Sequence, residues 1–100
     1  MKKITIIDYG AGNILSLKRA FEFLSINAEV TSDLKKIQKS SYLILPGDGA
    51  FGYAVKNLKK KKIFNLLSEH IKKSKPLLGI CLGMQLLFTE SNEFGNHKGL

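Results

Sequence analysis

The sequence predicts an α/β domain in which a mainly parallel β-sheet is flanked by helices. The first reason is alternation, because short apolar runs of strand length are separated by stretches with helical periodicity. The second is the glycine content of the segments that follow several of these runs, which is typical of strand-to-helix loops. The third is size, since 100 residues without an internal repeat or a low-complexity linker fit one small domain with a modest core.

The first half of the chain predicts two strands and two helices. Ile4–Ile7 is almost entirely apolar and β-branched, so this strand is expected to be buried on both faces. The helix that follows has its apolar side at Ile14, Leu17, Phe21 and Leu24. Ala28–Thr31 predicts a weaker strand. Asp33 is expected to cap a short helix that contains Leu34 and Ile37.

The second half continues the same alternation. Tyr42–Leu45 predicts another buried strand, which ends at Pro46 and the glycine-rich residues 47–49. A helix is expected over residues 50–58. A second helix presents on one face Ile63, Leu66, Leu67, His70 and Ile71. Residues 77–80 predict a short buried strand, and the polar tail at 92–100 predicts no further element.

Cys81 is the only cysteine of the chain, and it lies between Gly79 and Gly83 directly after the last predicted strand. A helix is expected over residues 84–88, so the pattern is that of a nucleophile elbow with cysteine as the nucleophile. Glycine on both sides keeps side chains out of the tight turn, and the amino end of the helix favours the thiolate. The alternative is a buried structural cysteine. The two flanking glycines favour the nucleophile.

Two further glycine-containing loops follow predicted strands. Gly10 and Gly12 begin a pattern similar to a dinucleotide-binding motif, but Leu15 occupies the place of its third glycine, which disfavours a dinucleotide cofactor. No other cofactor and no metal are expected. Residues 46–49 lack the Lys-Ser/Thr ending of a phosphate-binding loop. In an elbow enzyme a loop at this place supplies a backbone N–H to the oxyanion hole, which is the role expected here. The strand that ends at Leu45 is therefore expected to end beside the strand at residues 77–80. A simple tight turn is the alternative.

The formal net charge of +8 arises mainly from lysine, most densely at residues 59–62. A nucleic-acid site would interleave arginines or aromatic residues, and Arg19 is the only arginine. Solvated helix faces are therefore favoured over a nucleic-acid partner, and docking to an acidic partner surface stays open. The single cysteine fits a reducing cytoplasm. The chain has no apolar stretch near the ~20 residues that span a bilayer and no signal sequence, so a soluble cytoplasmic protein that does not bind a membrane is predicted.

Three segments together resemble one enzyme family. They are residues 7–13 (Ile-Asp-Tyr-Gly-Ala-Gly-Asn), 45–52 (Leu-Pro-Gly-Asp-Gly-Ala-Phe-Gly) and 79–88 (Gly-Ile-Cys-Leu-Gly-Met-Gln-Leu-Leu-Phe). The third resembles the triad-type class I glutamine amidotransferases as a group. The first two are similar to the glutaminase subunits of imidazole glycerol phosphate synthases. The resemblance covers essentially the whole chain and implies a flavodoxin-like fold.

The resemblance implies a mechanism. Cys81 would attack the side-chain amide of L-glutamine and give a glutamyl thioester and ammonia. The backbone N–H groups expected to hold the oxyanion belong to Gly47, Asp48 and Leu82. The residues expected to position the substrate glutamine are Gly49, Gln85 and Glu93.

The resemblance also implies a partner and a missing part. Ammonia would pass to a (β/α)₈-barrel cyclase subunit in a heterodimer of histidine biosynthesis, and Asn13 would lie near that interface. Family chains are about twice as long, so residues 1–100 are expected to be the amino-terminal half of one amidotransferase domain, inactive alone. The triad His and Glu would lie in the other half. His70, a partly buried packing residue, and His97, in the polar tail, match neither position.

Asp48 departs from the family, which usually carries valine at this position. A carboxylate would oppose a developing oxyanion, so the Asp48 side chain is expected to point away from it. The departure keeps open a paralogue that amidates another acceptor, such as a surface sugar. A non-catalytic binding module of the same fold is a further interpretation, and the intact elbow with Cys81 and Gln85 disfavours it.

Overall fold

The computed structural model describes residues 4–10, 14–47, 51–80, 83, 86–87, 90–91 and 97–100. The strands in this part of the chain are β1 (Ile4–Ile7), β2 (Ala28–Thr31), β3 (Tyr42–Leu45), β4 (Leu77–Gly79), β5 (Glu90–Ser91) and β6 (His97–Lys98). The helices are α1 (Ile14–Phe23), α2 (Leu34–Lys39), α3 (Phe51–Lys60) and α4 (Ile63–Lys72). The predicted alternation of strands and helices is therefore confirmed from β1 to β4.

The first four strands form one parallel sheet in the order β2-β1-β3-β4. β1 lies between β2 and β3, in registers that place Ile4 beside both Ala28 and Tyr42. β4 is added on the other side of β3, with Leu45 opposite Gly79. The predicted α/β class with a parallel sheet is confirmed. Because the four strands run in the same direction, the segments that follow β1, β3 and β4 all leave from one edge of the sheet.

Helices pack on both faces of the sheet. β1 contributes to both layers, because its successive side chains point to opposite sides. On one side, Ile7 packs in a cluster with Leu58 of α3 and Leu67 of α4, and all three are fully buried. On the other side, Ile6 belongs to a second cluster, against which Phe21 of α1 packs. This arrangement explains why β1 is apolar at consecutive positions, as the sequence predicts.

A side-chain cap determines where α2 begins. The Asp33 carboxylate accepts hydrogen bonds from the backbone N–H groups of Lys35 at 2.9 Å and Lys36 at 3.4 Å, which confirms the predicted N-cap. The Lys36 ammonium also pairs with Glu29 of β2 at 2.7 Å. An exposed ion pair adds little stability, so the cap is the stronger local determinant of α2.

β4 differs from the prediction of a buried strand. It ends at Gly79, and the side chain of Leu78 is 53% exposed. The physical reason is its position, because β3 is the only neighbour of β4 among the described strands. An apolar run has the same appearance in a central and in an outer strand, so sequence alone did not distinguish them.

The prediction that the tail forms no element is wrong. His97 and Lys98 form β6, which pairs antiparallel with β5 and places His97 opposite Ser91. Two residues per strand are too few to leave a periodic pattern in the sequence. A smaller difference concerns Leu24, which follows the end of α1 and is 64% exposed, so the apolar side of this helix ends at Phe21.

Two helix boundaries complete the comparison with the prediction. α3 continues to Lys60, beyond the predicted end at residue 58, because lysine is a good helix former and is favoured near a carboxyl terminus. In the region expected to be helical after the elbow, Gly83 has helical backbone and Leu86 and Leu87 lie in a turn. Residues 84, 85 and 88 lie outside the described part. None of the described helices has the length and hydropathy that crossing a membrane requires.

Candidate active site

The carboxyl ends of β3 and β4 lie side by side. Leu45, the last residue of β3, is in register with Gly79 of β4. One step further, the Ile80 N–H donates a 3.0 Å hydrogen bond to the Leu45 carbonyl. The segment predicted to carry the nucleophile therefore leaves the sheet next to the start of the predicted oxyanion loop, which confirms the expected neighbourhood of the two strand ends. Ligands of open α/β sheets bind at this edge.

Gly83 is in close contact with the backbone at the end of β3. A Cβ atom at this position would overlap the Leu45 carbonyl oxygen and would lie 2.6 Å from its carbon. The Gly83 N–H donates to the carbonyl of Ile80, the residue that follows β4, at 2.9 Å. The second glycine of the predicted elbow is thus required by packing, since any side chain there would collide with backbone atoms.

Tyr9 joins the segment after β1 to the segment after β3. Its ring is 1% exposed, and its hydroxyl donates a buried 2.6 Å hydrogen bond to the Pro46 carbonyl. Sequence reasoning assigned no role to Tyr9. The available signal was one large aromatic residue in a loop otherwise built from Asp, Gly, Ala and Asn.

The segment after β1 is held in place on both sides of Tyr9. The Asp8 N–H donates to the Thr31 carbonyl of β2 at 2.9 Å. The Gly10 N–H donates to an Asp8 carboxylate oxygen at 3.3 Å. Gly10 has a φ of 91°, a conformation that favours glycine, and a Cβ there would lie 3.4 Å from the side-chain nitrogen of Asn57 in α3. These contacts leave Tyr9 little freedom to move away from Pro46.

The family follows from a comparison with known proteins. The family model "Glutamine amidotransferase class-I" matches residues 5–95, nearly the whole chain. This chain belongs to the class-I glutamine amidotransferases. The resemblance seen in the three sequence segments is thereby confirmed.

Two curated relatives of this amidotransferase chain share the name imidazole glycerol phosphate synthase subunit HisH. The protein from Chlorobium chlorochromatii is 52% identical over 97 residues, which are 97% of this chain and 48% of the relative. The protein from Aquifex aeolicus is 44% identical over 99 residues, with 98% and 48% covered. The amidotransferase chain therefore spans about half the length of the curated relatives it matches.

Solved structures agree on the fold. One described as a glutamine amidotransferase superposes with a TM-score of 0.73 at 22% identity, covering 86% of this chain and 46% of that one. A Listeria monocytogenes protein assigned to peptidase E gives a TM-score of 0.72 at 19% identity, with 89% and 50% covered. At these identities the likeness concerns the fold alone, and it confirms the flavodoxin-like amidotransferase architecture.

Of the residues predicted for the amidotransferase site, the structure describes Gly47, which follows Pro46 at the end of β3 and is half-buried. The others lie outside the described residues: Asn13, Asp48, Gly49, Cys81, Leu82, Gln85 and Glu93. Their roles stay predictions. The framework around them is defined by the described contacts of Leu45, Pro46 and Gly83.

His70 lies at the opposite end of the sheet, on the buried face of α4. Its Nε2 atom is 3.0 Å from the Pro76 carbonyl, which precedes β4, and a carbonyl can only accept, so Nε2 carries the proton. Burial lowers the pKa of His70; the Pro76 carbonyl opposes this effect, and the charges of Lys75 and Lys73 add to it. His70 is thus a packing residue, as predicted, but it is more buried than expected and also holds the Pro76 carbonyl.

Proposed function

We propose that this chain is the amino-terminal half of the glutamine-hydrolysing subunit of an imidazole glycerol phosphate synthase, which acts in histidine biosynthesis. The observation that carries the proposal is the 52% identity, over 97% of the chain, to a relative named as a subunit of that enzyme. A second relative of the same name, at 44% identity, agrees with it. The contact of Gly83 with the end of β3 supports the elbow on which the reaction depends.

The proposed reaction begins at Cys81. Its thiolate attacks the side-chain amide carbon of L-glutamine, so a C–S bond forms and the carbonyl oxygen becomes an oxyanion. Backbone N–H groups of Leu82 and of Gly47 or Asp48 stabilise that charge. The C–N bond then breaks, and the nitrogen leaves as ammonia with the proton that the triad histidine took from the Cys81 thiol. Water hydrolyses the glutamyl thioester to glutamate.

The remaining parts of the proposal concern substrate, base and partner. Gly49, Gln85 and Glu93 position the glutamine, while the histidine and glutamate of the triad belong to the part of the protein beyond residue 100. A (β/α)₈-barrel cyclase subunit receives the ammonia, with Asn13 near the interface. No cofactor takes part in this chemistry. The 100 residues alone are effectively inactive and keep at most a residual rate, because losing triad members costs several orders of magnitude in rate.

The test uses the full-length protein in complex with its cyclase subunit. Cys81→Ala should abolish glutamine-dependent formation of imidazole glycerol phosphate, because no thioester can form. Ammonia-dependent formation by the same complex should be unchanged, and it serves as the internal control for folding and assembly. Glutamine hydrolysis that survives in Cys81→Ala would contradict the assignment of the nucleophile. Glutamine hydrolysis by wild type without any product from the cyclase substrate would instead favour another acceptor.

A further inference from the structure

We propose that Tyr9 is a positioning residue for the oxyanion loop, a role that rests on the function proposed above. Tyr9 is the second residue after β1, and its ring is buried in the same core cluster as Leu45, Phe51 and Leu86. Those neighbours belong to three different segments at the carboxyl edge of the sheet. Close packing on these sides leaves the ring few alternative positions, so the hydroxyl is held in one place.

The hydroxyl is used to anchor one backbone carbonyl. Tyr9 Oη donates to the Pro46 carbonyl at 2.6 Å, between residues 37 positions apart in the sequence. The pairing of β3 with β1 extends only to Ile44, so this carbonyl lies beyond the described ladder between the two strands. The bond is buried, and without it the carbonyl would lose its described partner in the protein interior, which is unfavourable.

The anchor fixes a whole peptide group. The Pro46 carbonyl and the Gly47 N–H belong to one planar unit and point in opposite directions, so holding the oxygen also orients the N–H. It also fixes the position from which the chain continues to Asp48. Glycine restricts its backbone less than any other residue, so without the anchor the peptide between Pro46 and Gly47 would sample many orientations. A donor oriented in advance needs no reorganisation when the oxyanion forms.

The same carbonyl is also fixed relative to the elbow. A Cβ at Gly83 would lie 3.2 Å from the Pro46 oxygen, so this atom is a close neighbour of the second elbow glycine. Gly83 is separated from Cys81 by a single residue. Tyr9 therefore holds the first peptide of the oxyanion loop at a defined place beside the segment that carries the proposed nucleophile.

The test is Tyr9→Phe in the full-length protein with its cyclase subunit, because this change keeps the buried ring and removes only the hydroxyl. We expect kcat for glutamine hydrolysis to fall by about 10- to 100-fold, since a misplaced oxyanion donor acts on the transition state. KM for glutamine should change by less than about threefold. Hydrogen exchange of the Gly47 amide should become faster, and ammonia-dependent turnover should stay unchanged.

Ser40→Ala is the matched control. Ser40 is fully buried, and its hydroxyl donates to the Tyr42 carbonyl at 2.9 Å, at the opposite end of β3. Loss of this hydroxyl in Ser40→Ala should lower thermal stability much as Tyr9→Phe does and leave kcat for glutamine hydrolysis unchanged. Equal losses of kcat in both variants, or a Tyr9→Phe kcat within about twofold of wild type, would overturn the positioning role. A wild-type complex that hydrolyses no glutamine would refute the proposed function. An unchanged hydrogen-exchange rate of the Gly47 amide in Tyr9→Phe would separately refute the anchoring of the Pro46 carbonyl by Tyr9.

Discussion

Gly83 is the position at which the candidate site tolerates least change. Any side chain there would overlap the Leu45 carbonyl, and a backbone obstacle cannot rotate away as a flexible side chain could. Gly83→Ala should therefore lower the free energy of unfolding by about 3 kcal/mol or more, at the upper end of what overpacking costs. Glutamine turnover should fall as well, because relief of the collision separates the elbow from the end of β3. Urea unfolding of the full-length protein measures the first effect.

Gly52→Ala is the control for this prediction. Gly52 is the second residue of α3, where alanine gains up to about 1 kcal/mol of helix propensity over glycine. The free energy of unfolding should therefore stay equal or rise in this variant. If Gly83→Ala proved as stable as Gly52→Ala, the close approach of residue 83 to β3 would not exist in solution.

At the scale of the elements, α4 is attached to the start of β4 through His70. The folded state lowers the pKa of this histidine from its ordinary 6.5, mainly because burial disfavours the charged ring. The unfolded chain therefore takes up the proton first as the pH falls. The free energy of unfolding should be constant above the unfolded pKa and should decrease from about pH 6.5 down to the lower folded pKa. Urea unfolding between about pH 7.5 and 5.5 measures this slope.

The two histidines of the chain supply the control. His70→Gln should remove most of the slope, because glutamine keeps a donor for the Pro76 carbonyl and does not titrate. His97→Gln removes the other histidine of the chain, so it separates the contribution of that residue to the slope from the contribution of His70. A slope that disappears in His97→Gln and persists in His70→Gln would show that burial of His70 is not its cause.

The sequence predicted elements well where a pattern has a local physical cause. The β-branched run of β1 and the Asp33 cap both act over a few residues, and both were found as expected. Burial of β4 was predicted wrongly because it depends on which strands are neighbours in space, and β6 was missed because its two residues pair only with β5. The contact of Tyr9 with Pro46 was not foreseen for the same reason, since it joins residues far apart in the chain.

At the scale of the whole molecule, the candidate site could be predicted as an arrangement of loops. Parallel strands place their carboxyl ends together, so the strands that precede the elbow and the oxyanion loop were expected to end side by side, and the pairing of Leu45 with Gly79 confirms it. The roles of individual residues followed from the family resemblance, because glycine-rich turns alone do not specify a substrate. The match covers about half the length of the relatives, and the base and the partner surface are proposed from the family resemblance.

The central claim is that Cys81 is the nucleophile that attacks glutamine, and covalent trapping tests it most directly. The full-length complex is incubated with a diazoketone analogue of glutamine, digested and examined by mass spectrometry. One analogue per protein should be attached at Cys81, and an excess of L-glutamine should slow the labelling because both compete for one site. Complete loss of glutamine turnover with Cys81 unmodified and the label on another residue would contradict the account.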